Sequence, residues 1–134
     1  MVEDNIQVGL KKNFRKMTTP SDASNLPGTL ELSYLISTPA VIDMIIEAST
    51  ELLDILLPEQ YTTVGTEIHL EHEKPTLIGE EVDIIVEVKE VYKGRVVLNI
   101  EGHDRVGRFC KGEYERHIVN KKKLMENAYN RFHV

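Results

Sequence analysis

Four short motifs of this chain carry groups suited to acyl chemistry, and each lies in a different part of the sequence. They are Ser37-Thr38-Pro39 before an apolar stretch, Val64-Gly65-Thr66 with His72 after it, the pair Pro75 and Gly79, and Glu113-Tyr114-Glu115-Arg116. Together they supply a hydroxyl, an imidazole, the flexible backbone amide of a glycine and a guanidinium. These groups are suited to holding and hydrolysing a thioester or a similar acyl group.

The composition is typical of one soluble globular domain. The chain has 134 residues, of which 41% are hydrophobic and 28% charged. We therefore expect a single domain over 1–134, with a core from about residue 9 to 119 and a polar tail over 121–134. The net charge of −6 argues against nucleic-acid binding, because no basic surplus is available to neutralise phosphates.

The sequence also predicts a cytoplasmic location. The one cysteine, Cys110, excludes an internal disulfide and fits a reducing compartment. No apolar run reaches the roughly 20 residues that a membrane span needs. Residues 1–5 lack the basic and apolar regions of a signal peptide. We expect no membrane partner.

One long helix is predicted from Thr38 to Leu57. Thr38 is a suitable N-cap, Pro39 fits the first helical position, and Pro58 ends the helix. Apolar residues surround nearly the whole circumference of this helix, so it should be buried on most sides.

The remaining segments predict strands and turns. We expect strands at 8–17, 61–74, 82–89, 96–100 and 108–119, turns at Lys93-Gly94 and Val106-Gly107, and a loop over 18–28. The last four strands would form an antiparallel meander. The predicted fold is therefore an α+β hot-dog fold, with an antiparallel sheet of about five strands wrapped around one long central helix. Its exposed sheet edge predicts a homodimer or higher homo-oligomer.

Strand alternation separates two histidines. His72 shares a face with Ile68 and Leu70 and should point to the apolar interior, whereas His69 should face solvent. A neutral imidazole there can act as a base or a donor at neutral pH. A core or interface histidine without a catalytic role is the alternative.

Three further candidates each have a structural and a functional interpretation. Thr38 either caps the helix only or, with the helix N-terminus, receives a thioester carbonyl. Gly65 either marks a bulge or allows close backbone approach. Arg116 lies on the more apolar face of the last strand, where a salt bridge to a carboxylate is favoured over a ligand anion. No cluster of side chains has metal-ligand spacing.

Read together, the motifs resemble the fluoroacetyl-CoA thioesterase family of hot-dog proteins over about residues 9–119. In that family a threonine, a glutamate and a histidine form the catalytic set, with a glycine near the acyl group and an arginine beside them. The resemblance implies catalytic roles for Thr38 and His72 and substrate-binding roles for Gly65 and Arg116, which fall in register without a gap.

The family's glutamate does not align with an acid in this chain. Ile46 stands at its position, and Glu47 follows one residue later, about 100° further round the helix. Glu47 also belongs to an acidic stripe with Asp43, Glu51 and Asp54 that is typical of a solvated helix face. Three alternatives stay open: a π-type bulge that turns Glu47 into the site, catalysis without this carboxylate, or lost activity.

We therefore expect an acyl-CoA thioesterase that hydrolyses a small acyl thioester at a dimer-interface site. Its substrate would be a coenzyme A thioester, and neither a cofactor nor a metal is implied. The alternatives are a non-catalytic acyl-CoA binding module, which Ile46 favours, and a hot-dog enoyl-CoA hydratase or dehydratase.

Overall fold

The centre of the molecule is an antiparallel sheet of five strands. The computed structural model describes residues 1–24 and 30–133, so residues 25–28 of the predicted loop lie outside the described residues. The strands are β1 (Lys11–Met17), β2 (Tyr61–His72), β3 (Glu81–Tyr92), β4 (Arg95–His103) and β5 (Arg108–Asn120). The helices are α1 (Thr38–Leu53) and α2 (Lys121–Phe132), with 3-10 turns at Pro20–Asp22, Leu30–Tyr34 and Asp54–Leu56.

The strand order is β1-β3-β4-β5-β2, so β1 and β2 are the two edges. Strands β3, β4 and β5 follow one another as predicted, and Lys93 and Gly94 turn between the first two with φ of 48° and 81°. The predicted meander of four strands was wrong, because β2 pairs with β5 and not with β3. The segment after β2 has no tight hairpin turn, and its Leu77 bridges to Leu35 instead. The segment between β2 and β3 therefore connects one edge of the sheet to the strand beside the opposite edge.

Helix α1 lies on one face of the sheet and buries a continuous apolar stripe. It ends at Leu53, earlier than predicted, because Asp54–Leu56 form a 3-10 turn before Pro58. Each fully buried aliphatic side chain contributes about 1.5–3 kcal/mol. The helix residues of this stripe are Ala40, Val41, Met44, Ile45, Ala48, Leu52 and Leu53, and they pack in one core with Val82, Ile84, Val86, Val88, Val96, Leu98, Ile100 and Phe109 of the sheet.

The remaining side of α1 is open in the single chain. Ile46 is 38% exposed and Glu47 is exposed, so the prediction of burial on most sides holds only for the face toward the sheet. The predicted polar tail forms helix α2. Asn120 caps this helix, because its side-chain oxygen accepts from the Lys123 N–H at 3.0 Å. None of the helices in the described part of the chain has the length and apolarity that a membrane crossing requires.

The thiol of Cys110 is enclosed between β4 and β5. A Cβ at Gly102 would overlap the Cys110 sulfur and the Phe109 ring, so only glycine fits opposite it. Cys110 has no exposed surface, and burial raises the pKa of its thiol to about 12. The sulfur therefore packs as a small apolar group.

A buried arginine ties α1, β2 and β5 together. Arg116 is 4% exposed, and its Nε and Nη2 donate to the Thr63 hydroxyl at 2.8 Å and the Thr63 carbonyl at 2.6 Å. Its Nη1 donates to the Tyr114 hydroxyl at 2.7 Å, and Nη2 also reaches the Thr50 hydroxyl at 3.4 Å. Nearly all the donors of the guanidinium are thereby satisfied by neutral oxygens.

The predicted salt bridge of Arg116 was wrong, since none of the described carboxylates pairs with it directly. Its nearest acidic connection runs through Thr63, whose hydroxyl donates to Asp54 at 2.6 Å. Asp54 also accepts from the Thr62 hydroxyl at 2.6 Å and the Thr63 N–H at 3.2 Å. Asp54 therefore lies outside the solvated acidic stripe that the sequence suggested.

Replacing Thr63 with valine should destabilise the fold by about 1–3 kcal/mol. The change keeps the side-chain shape, but it leaves the Arg116 Nε donor and one Asp54 oxygen without their shared partner in a buried place. Urea unfolding monitored by circular dichroism measures the loss. The matched control is Thr66→Val at an exposed position, which should change stability by less than about 0.5 kcal/mol. Equal effects would show that the buried network is not a source of stability.

Candidate active site

The start of α1 is fixed by Ser37 and not by Thr38, so the predicted N-cap was wrong by one residue. Ser37 has extended backbone angles, and its hydroxyl accepts from the Ala40 N–H at 3.1 Å. Serine and threonine cap helices in the same way. The sequence alone therefore does not tell which of the two adjacent residues is the N-cap, and the extended backbone angles of Ser37 decide it. Because Ser37 takes the capping role, the Thr38 hydroxyl is free to bond elsewhere.

The Thr38 hydroxyl lies against an imidazole. Its Oγ1 is 2.9 Å from Nδ1 of His72, the last residue of β2. His72 is half-buried and His69 is exposed, as strand alternation predicted. The ring of Phe109 contacts the imidazole in an edge-on arrangement, with ring centres 6.0 Å apart. The helix start and the strand end therefore bring two of the predicted residues together.

The surroundings of His72 favour a neutral imidazole. Burial lowers the pKa of His72 below its ordinary value of 6.5, because the charged form loses hydration. Its Nε2 is buried and has no hydrogen-bond partner among the described residues. With the proton on Nε2, the ring presents Nδ1 as an acceptor toward Thr38. This is the form of histidine that can take up a proton at neutral pH.

A cavity of about 450 Å³ opens beside this pair. Thr38 and His72 both line it, and Pro75 of the third predicted motif lies in its wall. Gly79 of the same motif does not line it. Gly79 has a φ of 99°, which favours glycine, and its N–H donates to the Thr18 hydroxyl at 3.0 Å. The role of Gly79 in the structure is therefore to shape the turn before β3.

The helix N-terminus beside this cavity has one backbone donor without a partner among the described residues. Pro39 has no N–H, and the Ala40 N–H is taken by Ser37. The Val41 N–H bonds to the Ser37 carbonyl at 3.1 Å. Within the described residues, the Thr38 N–H is therefore the first-turn donor that remains for a ligand.

Gly65 and Arg116 lie away from the Thr38–His72 pair within the chain. Arg116 bonds to Thr50, which is 12 residues along α1 from Thr38, or about 18 Å at 1.5 Å per residue. Gly65 adjoins an irregularity of β2, where the pairing register shifts between Gly65 and Glu67. A Cβ at Gly65 would overlap the Tyr114 hydroxyl. Glycine is therefore required here because the Tyr114 side chain packs directly against its backbone.

Glu47 does not reach the pair either. Helix α1 is α-helical from Thr38 to Leu53, so no π-type bulge turns Glu47 inward, and that alternative was wrong. Glu47 stays on the exposed face with Asp43 and Glu51. The position that the resemblance assigns to the acid is occupied by Ile46.

Sequence reasoning missed the residues around Arg116. Tyr114 shares its strand face with Arg116, and this alternation was the available signal. Thr50, Thr63 and Asp54 come from other elements, and no sequence pattern indicated that they lie near Arg116. Within residues 1–24 and 30–133, no group of three or more His, Cys, Asp or Glu side chains is placed to hold a metal ion.

Comparison with known proteins shows the fold and the family. The structure superposes on a hot-dog-like protein from Thermanaerovibrio acidaminovorans with a TM-score of 0.90 and 28% identity, covering 97% of this chain and 96% of that one. It superposes on the fluoroacetyl-CoA thioesterase FlK with a TM-score of 0.87 and 20% identity, covering 95% and 98%. It also superposes on a thioesterase superfamily member from Thermus thermophilus with a TM-score of 0.85 and 19% identity, covering 96% of this chain and 94% of that one. The predicted hot-dog fold is thus confirmed.

No protein of curated function matches the sequence. The model of the fluoroacetyl-CoA-specific thioesterase family matches residues 18–122, from the turn before α1 to the start of α2. This match covers most of the 134 residues and includes Thr38, Gly65, His72 and Arg116. The chain therefore belongs to the fluoroacetyl-CoA-specific thioesterase family.

Proposed function

We propose that the protein hydrolyses an acyl-CoA thioester at the Thr38–His72 pair. The observation that carries this proposal is the 2.9 Å contact between Thr38 Oγ1 and His72 Nδ1 at the edge of a ligand-sized cavity. Membership of the family supports it. A variant of FlK has been solved with acetyl-CoA, which supports a coenzyme A thioester as the substrate class.

The proposed reaction is a direct hydrolysis. The Thr38 N–H donates to the thioester carbonyl oxygen, where negative charge develops during attack. The Thr38 hydroxyl takes a proton from a water molecule, whose oxygen forms the new bond to the carbonyl carbon, and passes its own proton to Nδ1 of His72. The carbon–sulfur bond then breaks, and the proton passes from His72 to the departing thiolate. The products are a carboxylic acid and free coenzyme A, and the reaction draws on no cofactor.

We also propose that the working site lies between two copies of the chain. Strand β2 lies at an edge of the sheet, so one of its sides is unpaired and can bind a second copy. Its 12 residues make this edge a long one. Antiparallel pairing of two β2 strands would set the His72 end of one strand beside the Thr63 end of the other. The Arg116 of the partner subunit would then approach the Thr38–His72 pair.

A non-catalytic acyl-CoA binding module is the second candidate function. The observation that favours it is Ile46, which stands where the family pattern has its glutamate. Hydrolysis of any acyl-CoA that is lost in His72→Ala would exclude it. The hydratase alternative predicts hydration of an enoyl-CoA in place of thiol release.

His72→Ala should lower acyl-CoA hydrolysis by on the order of 10²–10⁴-fold, because the substitution removes the positioned base. Release of free thiol from a panel of acyl-CoAs measures the effect. His69→Ala is the matched control on the exposed face of the same strand and should stay within a few-fold of the parent.

The same assay gives a pH signature for His72. The rate of the parent should fall as the pH drops through a midpoint below 6.5, because burial lowers the pKa and protonated His72 cannot accept a proton. Equal losses from His72→Ala and His69→Ala would contradict the assignment of the base.

Glu47→Gln should leave hydrolysis within a few-fold of the parent, since Glu47 lies on the exposed face of a regular helix. Ile46→Glu restores the family pattern and should raise the rate. The comparison uses the thiol-release assay on both purified variants. A folded Ile46→Glu protein without gain, together with an inactive Glu47→Gln protein, would show that Glu47 serves the site.

The protein should be a dimer at micromolar concentration, because β2 has an open edge and α1 has an open face with Ile46 38% exposed. Multi-angle light scattering on a sizing column measures the mass. A monomer mass near 15.3 kDa would rule out the shared site.

A further inference from the structure

We propose that the cavity beside Thr38 and His72 seats an apolar acyl group several carbons longer than acetyl. This inference rests on the proposed hydrolysis and goes beyond it, because it assigns the substrate class. It follows from the side chains of the cavity wall, from the hydrogen bonds of the wall's backbone, and from the size of the cavity.

The cavity wall is mostly carbon. Leu32 and Leu35 come from the segment before α1, Pro39 from its first turn and Pro75 from the segment after β2. Leu32 is 43% exposed and Leu35 is half-buried, so both have surface left to cover. An apolar ligand gains free energy from removing this surface from water.

The backbone of the wall has few donors left for a polar ligand. The Leu35 N–H bonds to the Leu32 carbonyl at 3.1 Å, the Ile36 N–H to that of Thr76 at 3.0 Å, and the Ser37 N–H to that of Asp22 at 2.8 Å. An amide buried against residues 35–37 of this wall would lose its hydration without finding a free N–H donor in that stretch. The amide-containing arm of coenzyme A is therefore a poorer occupant of the wall than the hydrocarbon part of the acyl group.

Charged groups stand at the rim. The Glu73 carboxylate is held by Arg108, with contacts of 3.1 and 3.3 Å, and the Lys74 residue is exposed. These side chains can face the polar portion of the thioester and leave the interior to hydrocarbon. The volume of about 450 Å³ falls in the range of about 300–1,000 Å³ that is usual for ligand pockets.

The test is a chain-length series in binding and in turnover. S-ethyl, S-butyl, S-hexyl and S-octyl thioethers of coenzyme A cannot be hydrolysed, so calorimetry reports their binding without catalysis. We expect the dissociation constant to fall about fourfold for each added methylene, up to about six carbons. Thiol release from acetyl-, butanoyl-, hexanoyl- and octanoyl-CoA should show a parallel rise in kcat/KM.

The two measurements separate this inference from the proposed function. A flat thioether series would overturn the inference, even where all the acyl-CoAs are hydrolysed. A graded thioether series without hydrolysis would uphold the inference and overturn the hydrolase. Weaker binding of longer chains would also overturn it, because the wall would then exclude hydrocarbon.

Two variants assign the effect to the cavity wall. Leu35→Asn should reduce the gain per methylene to less than twofold, whereas Leu35→Phe should shift the best chain to a shorter one by filling space. Leu77→Asn is the matched control, because Leu77 bridges to Leu35, is 61% exposed and does not line the cavity. Circular dichroism checks that each variant is folded. The same series in all three variants would contradict the assignment to this wall.

Discussion

The hydrogen bond from the Ala40 N–H to the Ser37 hydroxyl determines where α1 begins, and the candidate site follows from that start. It places Thr38 in the first turn, where its hydroxyl does not cap the helix and contacts His72 instead. Pro39 then removes one donor that would otherwise need a partner. A helix that began one residue later would engage the Thr38 oxygen in capping, and His72 would lose its contact.

Strand β2 is the second element on which the site depends. One end carries His72, and the other carries Thr63, which receives the Arg116 guanidinium and donates to Asp54. One end of the strand contacts α1 through His72 and Thr38, and the other end contacts the 3-10 turn after α1 through Thr63 and Asp54. Helix and strand are therefore linked by side-chain hydrogen bonds near both ends of α1.

The sequence predicts local features well and nonlocal features poorly. Alternating apolar residues define β3 and β4, and strand parity orients His72, because each depends on neighbouring residues alone. The pairing of β2 with β5 depends on contacts distant in sequence, so the meander prediction was wrong. The end of α1 at Leu53 has the same origin, since Asp54 bonds to Thr62 and Thr63 of the next strand.

Resemblance adds what pattern cannot supply. The individual alternation of β5 placed Arg116 inward but suggested a carboxylate partner, and three-dimensional packing supplied Thr63 and Tyr114 in its place. The position of Ile46 is visible only against a family pattern, because an isoleucine in an apolar helix is otherwise ordinary.

The enclosure of Cys110 predicts that the native protein does not react with thiol reagents. Only the thiolate reacts, and a pKa of about 12 together with full burial keeps that form scarce and inaccessible at neutral pH. Free thiol in a solution of folded protein and thioester thus originates from coenzyme A, while labelling of the single cysteine marks molecules that have unfolded. One chromogenic reagent can therefore report turnover and loss of structure in the same sample.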